Sequence, residues 1–241
     1  MGAPGSSRDE LQVWCVRTDS PSARLDGLAG LLDDDDRARI ARLVFPADRL
    51  LHQAAHGLLR LALSEATGRP AHAWRFRRGD NAKPALAPGF DGPAFNLTHT
   101  PGLAACALAW HGAVGIDAEH DRGGVAPLEV APSVFTPAER DQLARLSGRA
   151  QAQGFFDLWT LKEATMKALG LGFALEPRSL HARPSPPAVT GAAVTGDWGF
   201  ATLQPSEAHR LAVALVGSPA TTRLRWRLLD GPWQTAPVFR G

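Results

Sequence analysis

Apolar positions along this 241-residue chain change their spacing in an order that occurs twice. Leu11 to Val16 alternates weakly and predicts a first strand. Asp33-Asp34-Asp35-Asp36 then precedes Arg37-Ala38-Arg39-Ile40-Ala41-Arg42-Leu43. Acid first and base later suits a helix dipole, so the acidic run reads as a cap rather than a metal site. After Pro46, apolar residues at Leu51, Ala55, Leu58, Leu59 and Ala62 predict an amphipathic helix over Asp48 to Ala66, closed by Gly68 and Pro70. Strands are expected at Trp74 to Arg77, Ala94 to Leu97, Leu103 to Trp110 and Val114 to Glu119, separated by Gly, Pro and Asn.

The second half follows the same order. Thr136-Pro137-Ala138-Glu139 reads as an N-cap, a proline at the first helical position and an acid in the first turn, opening a helix to Leu146. A longer helix is predicted from Ala150 to Leu169, ending at Gly170, with strands following near 179–182, 198–203, 210–216 and 223–229. Helices followed by antiparallel strands, twice over, predict an α+β protein of pseudo-duplicated, two-lobe architecture. Each lobe is an antiparallel sheet with packed helices: an N-terminal lobe over 1–112 and a C-terminal lobe over 113–241.

Composition narrows the partners. Hydrophobic residues are 44% of the chain, ample for packed cores, and the formal net charge is +2. That mild excess of base suits a small anionic substrate or an acidic protein better than a polyanion tracked over many phosphates, so no nucleic acid is expected. No stretch reaches the roughly 18 apolar residues of a membrane span, and Met1 to Glu10 lacks the pattern of a signal peptide. Cys15 and Cys106 sit in apolar runs without metal or redox spacing and read as buried thiols. A cytoplasmic protein with no membrane partner is the expectation.

Candidate chemistry gathers in two places. In Gly115-Ile116-Asp117-Ala118-Glu119, residues two apart on a strand share a face, so Asp117 and Glu119 project together. The pair reads either as a solvated strand end or as part of a magnesium site, which takes a few carboxylates plus water and phosphate. In Trp159-Thr160-Leu161-Lys162-Glu163-Ala164, residues Trp159, Glu163 and Lys167 lie on one helical stripe. Glu163 and Lys167 form either an intrahelical ion pair or a third carboxylate with a phosphate-facing lysine, and Lys162 stands one position over. His99, in a turn-proximal Asn96-Leu97-Thr98-His99-Thr100 segment, and Lys83, ahead of Pro84, suit an anion or ordinary solvated structure. His52 and His56 have the spacing of a zinc-protease pair, but Gln53 stands where the general base would be, so zinc hydrolysis is rejected.

These segments, in this order, resemble the 4′-phosphopantetheinyl transferases, in the long duplicated type that activates surfactin synthetase, and in its Trp…Lys-Glu-Ala subgroup. The resemblance rests on Gly115 to Glu119, Trp159 to Ala164 with Lys167, Phe95 to Thr100, Lys83-Pro84 and Gly170-Leu171-Gly172-Phe173, and spans residues 35–182. It implies transfer of the phosphopantetheine arm of coenzyme A to a serine of an apo acyl or peptidyl carrier protein, releasing adenosine 3′,5′-bisphosphate. A binding module that holds coenzyme A or the carrier without chemistry is the alternative. By the matching positions, Asp117, Glu119 and Glu163 hold Mg²⁺, and Glu163 helps deprotonate the serine. Lys162 and Lys167 meet phosphate or the leaving group. Lys83, Thr98, His99, Arg39, His52 and Lys162 bind the coenzyme, with Arg37 or Arg42 as substitutes for Arg39. The duplicated type carries both halves of its site in one chain, which implies a monomer. Ala118 and Asp36 depart from the pattern: relatives often carry a larger residue at the first and a base is expected at the second.

Overall fold

Alternation along β1 (Glu10–Arg17) shows how the layers form. Leu11, Val13 and Cys15 point into one core while Trp14 and Val16 point into another, as a period of two requires for a strand buried on both faces. The computed structural model describes residues 8–19, 23–78, 84–121, 128–217 and 221–241. Among them, β1 lies inside a five-stranded sheet of order β12 (Gln234–Ala236), β11 (Arg223–Leu228), β1, β5 (Leu103–Ala109), β4 (Ala94–Thr100). A second sheet has the order β13 (Phe239–Arg240), β9 (Trp198–Ser206), β10 (His209–Val216), β6 (Ala113–His120). Two short ribbons, β2 (Phe76–Arg78) with β3 (Pro84–Leu86) and β7 (His181–Pro184) with β8 (Pro187–Thr190), complete the strands.

The sheets face each other. Ile116, Ala118, Val213 and Leu215 of the second sheet share a core with Leu11, Val13, Ala105 and Ala107 of the first. The outer face of the first sheet is covered by α1 (Ala23–Gly30) and the long α3 (Pro46–Thr67). The outer face of the second is covered by α6 (Gly148–Leu169), supported by α4 (Ala131–Val134) and α5 (Pro137–Ala144). The result is an α+β stack of helix, sheet, sheet and helix, with three apolar cores between the layers.

The helix ends follow the sequence signals. Asp33 caps α2 (Asp34–Ala41) by accepting the Asp36 N–H at 2.9 Å, so the acidic run forms a cap and first turn, as expected. Thr136 and Glu139 make a reciprocal capping box at the start of α5. Gly68 and Gly170 end α3 and α6 at φ of 77° and 72°, where a side chain is disfavoured. Asp36 also binds Arg39 and Arg60, and Asp33 binds Arg60, which is wholly buried; these pairs join α2 to α3. The acid that replaces an expected base at position 36 is therefore a structural partner.

Two features depart from the pattern read in the chain. β1 and β11 pair in parallel, with Leu11 opposite Leu224 and Cys15 opposite Leu228. Sheet membership also departs from a division at 112/113, because β11 and β12 hydrogen-bond into the first sheet while β13 joins the second. β12 and β13 are very short, and β11 finds its parallel partner β1 some 200 residues away in the chain, out of reach of any local pattern.

Candidate functional site

β4 is the seam between the two sheets, and its alternation divides the candidate residues. Asn96 Oδ1 accepts the Ile116 N–H at 2.9 Å, and Thr98 Oγ1 accepts the Ala118 N–H at 3.3 Å and lies 3.4 Å from Asp117 Oδ1. These bridges step along β4 and β6 in the same direction and tie one edge strand to the other. His99, one residue on, points to the opposite face, where its ring lies 4.5 Å from that of His52 on α3. One strand thus carries a hydroxyl to the carboxylates and an imidazole to the basic side chains.

On the carboxylate side, α6 runs antiparallel to β6. Lys167 Nζ donates to Asp117 Oδ1 at 2.6 Å, and Trp159 Nε1 donates to Glu119 Oε1 at 3.2 Å. The stripe Trp159, Glu163, Lys167 therefore lies along the face that bears Asp117 and Glu119, with half-buried Glu163 between. Helix and strand approach closely because position 115 is glycine. A Cβ there would stand 1.9 Å from the Ala164 carbonyl oxygen.

Charge is crowded on this face. Burial, followed by the charge of Asp117, pushes both Glu119 and Glu163 up to about 7. Burial pulls Lys167 down, but the charge and hydrogen bond of Asp117 outweigh it and leave the ammonium raised. Asp117 Oδ2 is buried and finds no hydrogen-bond partner among the described residues. Among those residues no three His, Cys, Asp or Glu side chains converge tightly enough to hold a metal alone. The donor set still fits a hard cation that takes oxygen ligands from carboxylates, water and phosphate together: a buried carboxylate oxygen with no partner among the described residues and two carboxylates raised by burial and by Asp117 are what such a cation would relieve.

On the basic side, Arg39 Nη2 lies 3.5 Å from His56 Nδ1, and the His56 and His52 rings stack 6.2 Å apart. Burial is the main cause that lowers all three histidines, with the neighbouring cations second; His56 falls to about 3 and His99 to about 4. Lys167 is among the charges acting on His99, so the basic and carboxylate groups lie within electrostatic reach. A cavity of about 540 Å³ opens nearby, lined by Pro84, Leu86, Phe95, Val114 and Leu169 among others.

Asp117, Glu119, Glu163, Lys167 and Thr98 come together, as do Arg39, His52 and His99. His99 lies within β4 rather than on a turn. Lys83 falls outside the described residues. Lys162 is a correction. It is fully buried, and its Nζ donates to the Val134 carbonyl at 2.9 Å, Glu139 Oε2 at 2.6 Å and the Pro177 carbonyl at 3.1 Å. A helix turns about 100° per residue, so the position beside Glu163 faces the core; the i, i+4, i+8 run Leu158, Lys162, Met166 carries that signal. Two participants escaped the sequence reading. His56 appeared there only as half of a rejected zinc pair, and the indole donor of Trp159 needs a carboxylate forty positions away.

A family model described as the 4′-phosphopantetheinyl transferase superfamily matches residues 113–216. Over 212 residues the chain is 34% identical to the 4′-phosphopantetheinyl transferase HetI of Nostoc sp. (strain PCC 7120), covering 87% of this chain and 89% of that protein. It is 25% identical to a 4′-phosphopantetheinyl transferase of Bacillus subtilis, covering 72% of this chain and 76% of the relative. Among solved structures, a holo-(acyl-carrier-protein) synthase from Bacillus anthracis in complex with coenzyme A matches 44% of this chain and 96% of its own, with 19% identity and a TM-score of 0.39, a likeness too distant to argue from.

Proposed function

The chain belongs to the 4′-phosphopantetheinyl transferases, and from that premise we propose that the face bearing Asp117, Glu119 and Glu163 transfers the phosphopantetheine arm of coenzyme A to a serine of an apo carrier protein, acyl or peptidyl. The serine oxygen attacks the pantetheine-side phosphorus of the coenzyme pyrophosphate. The bond from that phosphorus to the bridging oxygen breaks, and adenosine 3′,5′-bisphosphate leaves. The partner supplies the nucleophile, so the enzyme needs alignment and charge neutralisation more than covalent chemistry.

Glu163 takes the serine proton. Its half-buried position on the stripe beside Asp117 and Glu119 supports that role, since a base must lie within reach of the proton it takes. Lys167, held against Asp117 at 2.6 Å, neutralises charge on the departing phosphate. Arg39, His52, His56 and His99 form the anion-binding side and receive a coenzyme phosphate. The Thr98 hydroxyl lies on the carboxylate side, 3.4 Å from Asp117 Oδ1, and Lys83, which precedes Pro84 in the chain, serves the coenzyme. Lys162 has no part in binding phosphate. Asp117, Glu119 and Glu163 are the residues that would hold Mg²⁺, which supplies Lewis-acid neutralisation of the pyrophosphate oxygens when bound.

The observation that carries this reading is the pairing of Asp117 Oδ2, buried with no partner among the described residues, with two carboxylates pushed up to about 7, across β4 from the half-buried cluster of Arg39 and histidines. Because 1–112 supplies the basic side and 113–241 the carboxylates, a single chain holds a whole site, which supports a monomer. Two buried thiols unpaired with each other support a reducing, cytoplasmic setting. The test is to incubate the protein with coenzyme A, Mg²⁺ and a panel of apo acyl and peptidyl carriers, and to weigh each carrier. One carrier should gain the mass of a single arm, and chelation of the metal should stop the gain. Retention of coenzyme A with no mass gain on any carrier would instead favour a non-catalytic binding module.

A further inference from the structure

Among the described residues the buried ion pairs Asp36–Arg60 and Glu139–Lys162 take no part in the transfer reaction, and the second adjoins the candidate face. Lys162 and Glu139 are both fully buried, 2.6 Å apart. Every ammonium hydrogen of Lys162 has an acceptor, from Val134, Glu139 and Pro177. Glu139 in turn accepts the Ala182 N–H at 2.6 Å on Oε1 and the Thr136 N–H at 2.7 Å on Oε2. The Phe135 ring lies 5.2 Å from the ammonium. Five segments meet here: the end of α4, the cap of α5, the Pro177 turn, the start of β7 and the middle of α6.

A buried pair of this kind adds little net stability over well-packed apolar side chains of the same volume. What it adds is direction, because a saturated ammonium tolerates only one geometry. The remaining anchors of α6 on this side, such as Phe155, Leu158, Leu161 and Met166, are apolar and non-directional. Lys162 is the residue next to Glu163, so whatever fixes its azimuth fixes that of the carboxylate on the neighbouring face.

We propose that Glu139 and Lys162 are positioning residues for the transfer: their pair locks the rotation of α6 so that Glu163 faces Asp117 and Glu119 at reacting distance. The inference rests on the transferase reading, and arm transfer by the unaltered protein tests that reading separately. The informative variant is the double Lys162→Met/Glu139→Leu, which removes both charges and leaves no buried ion alone. It should melt lower than the parent, because the Val134 and Pro177 carbonyls and the Thr136 and Ala182 N–H groups lose these partners, but it should keep the parent KM for coenzyme A, since the basic cluster lies across β4. Its kcat should fall by ~10-fold or more, because misplacing a reacting group by about 1 Å can cost as much as ~10²-fold. In a Glu163→Gln background the same double change should cost nothing further, since the pair acts through Glu163.

A double variant with parental kcat overturns the proposal. So does an equal loss of kcat in the Glu163→Gln background, which would mark a general structural defect. If the double variant does not fold, Glu139→Gln takes its place: it keeps the shape, replaces one accepting oxygen with an amide donor and leaves the Lys162 ammonium without its counter-charge, and the same two comparisons apply.

Discussion

Asp117 binds Lys167 at 2.6 Å through one oxygen and leaves the other buried with no partner among the described residues, while Glu163 is pushed up to about 7 beside it. Neither state is what packing alone would select, and both support the proposed chemistry. Glu163→Gln and Asp117→Ala are each expected to lower transfer by ~10²-fold or more, the scale of a lost base or charge-stabilising group; a steady-state assay with either variant near parental rate refutes the site. The histidines give a second expectation. His56 and His99 fall from 6.5 to about 3 and about 4. Below 6.5 the unfolded chain therefore binds protons that the folded one refuses, and their contribution to stability is lost as pH falls toward those values. Glu119 and Glu163, raised from 4.5 to about 7, act in the opposite sense: the folded state binds more protons between those values, so stability drains as pH rises through that window. Comparing melts of the parent and His56→Gln between pH 4 and 7 cancels the carboxylates, which both proteins share, and the variant should lose less stability on the acid side. Parallel curves would remove the basis for a neutral, buried His56. Asp117, Glu119, Glu163 and Lys167 were legible in the chain because their spacing is local, two on a strand and four on a helix. Lys162 was misread because adjacency in sequence was taken for adjacency in space, when one helical step turns a side chain from cleft to core.

At the scale of elements, the contact between α6 and β6 sets the site. Gly115 lets the strand press against the backbone of Ala164 and Ala168, which a Cβ would meet at 1.9 and 2.5 Å. No flexible side chain is there to move aside, so Gly115→Ala should push the helix off the strand. The cost is expected at about 1–3 kcal/mol, as for overpacking elsewhere. Both the Lys167–Asp117 and Trp159–Glu119 bonds lengthen with that shift, so turnover should fall more steeply than the melting temperature suggests. A thermal melt together with a transfer assay checks this, and a variant with parental values for both would refute the close contact. The long helices α3 and α6 were predictable from their 3.6-residue pattern and their glycine ends. One strand of each short ribbon, β2 and β7, and the end strand β11 overlap the predicted runs at 74–77, 179–182 and 223–229; β3, β8, β12 and β13 were not predicted, because strands of two to four residues carry no period to read.

For the whole molecule, the C-terminal segment fastens both layers. β11 and β12 extend the first sheet beyond β1, where Arg227 stacks 3.8 Å over Trp14 and Trp233 meets Trp14 edge-on at 5.1 Å, while β13 joins the second sheet. A chain cut after Gly217 leaves β1 as an open, apolar edge, a template for association. That truncation is expected to aggregate and to lose its cooperative melt; a soluble truncated protein with parental melting would show that the two halves stand independently. The sequence by itself determined the α+β class, the repeated helix-then-strand order and the carboxylates and lysine of the candidate face, because those follow from short-range periodicity and from the chemistry that each residue type can perform. Only the tertiary structure decided which side of α6 meets β6, that β4 divides Thr98 from His99 between the two groups, that His56 joins Arg39, and that Lys162 is saturated in the core. Each of these depends on contacts between segments distant in the chain, where packing and desolvation, rather than local spacing, select the partner.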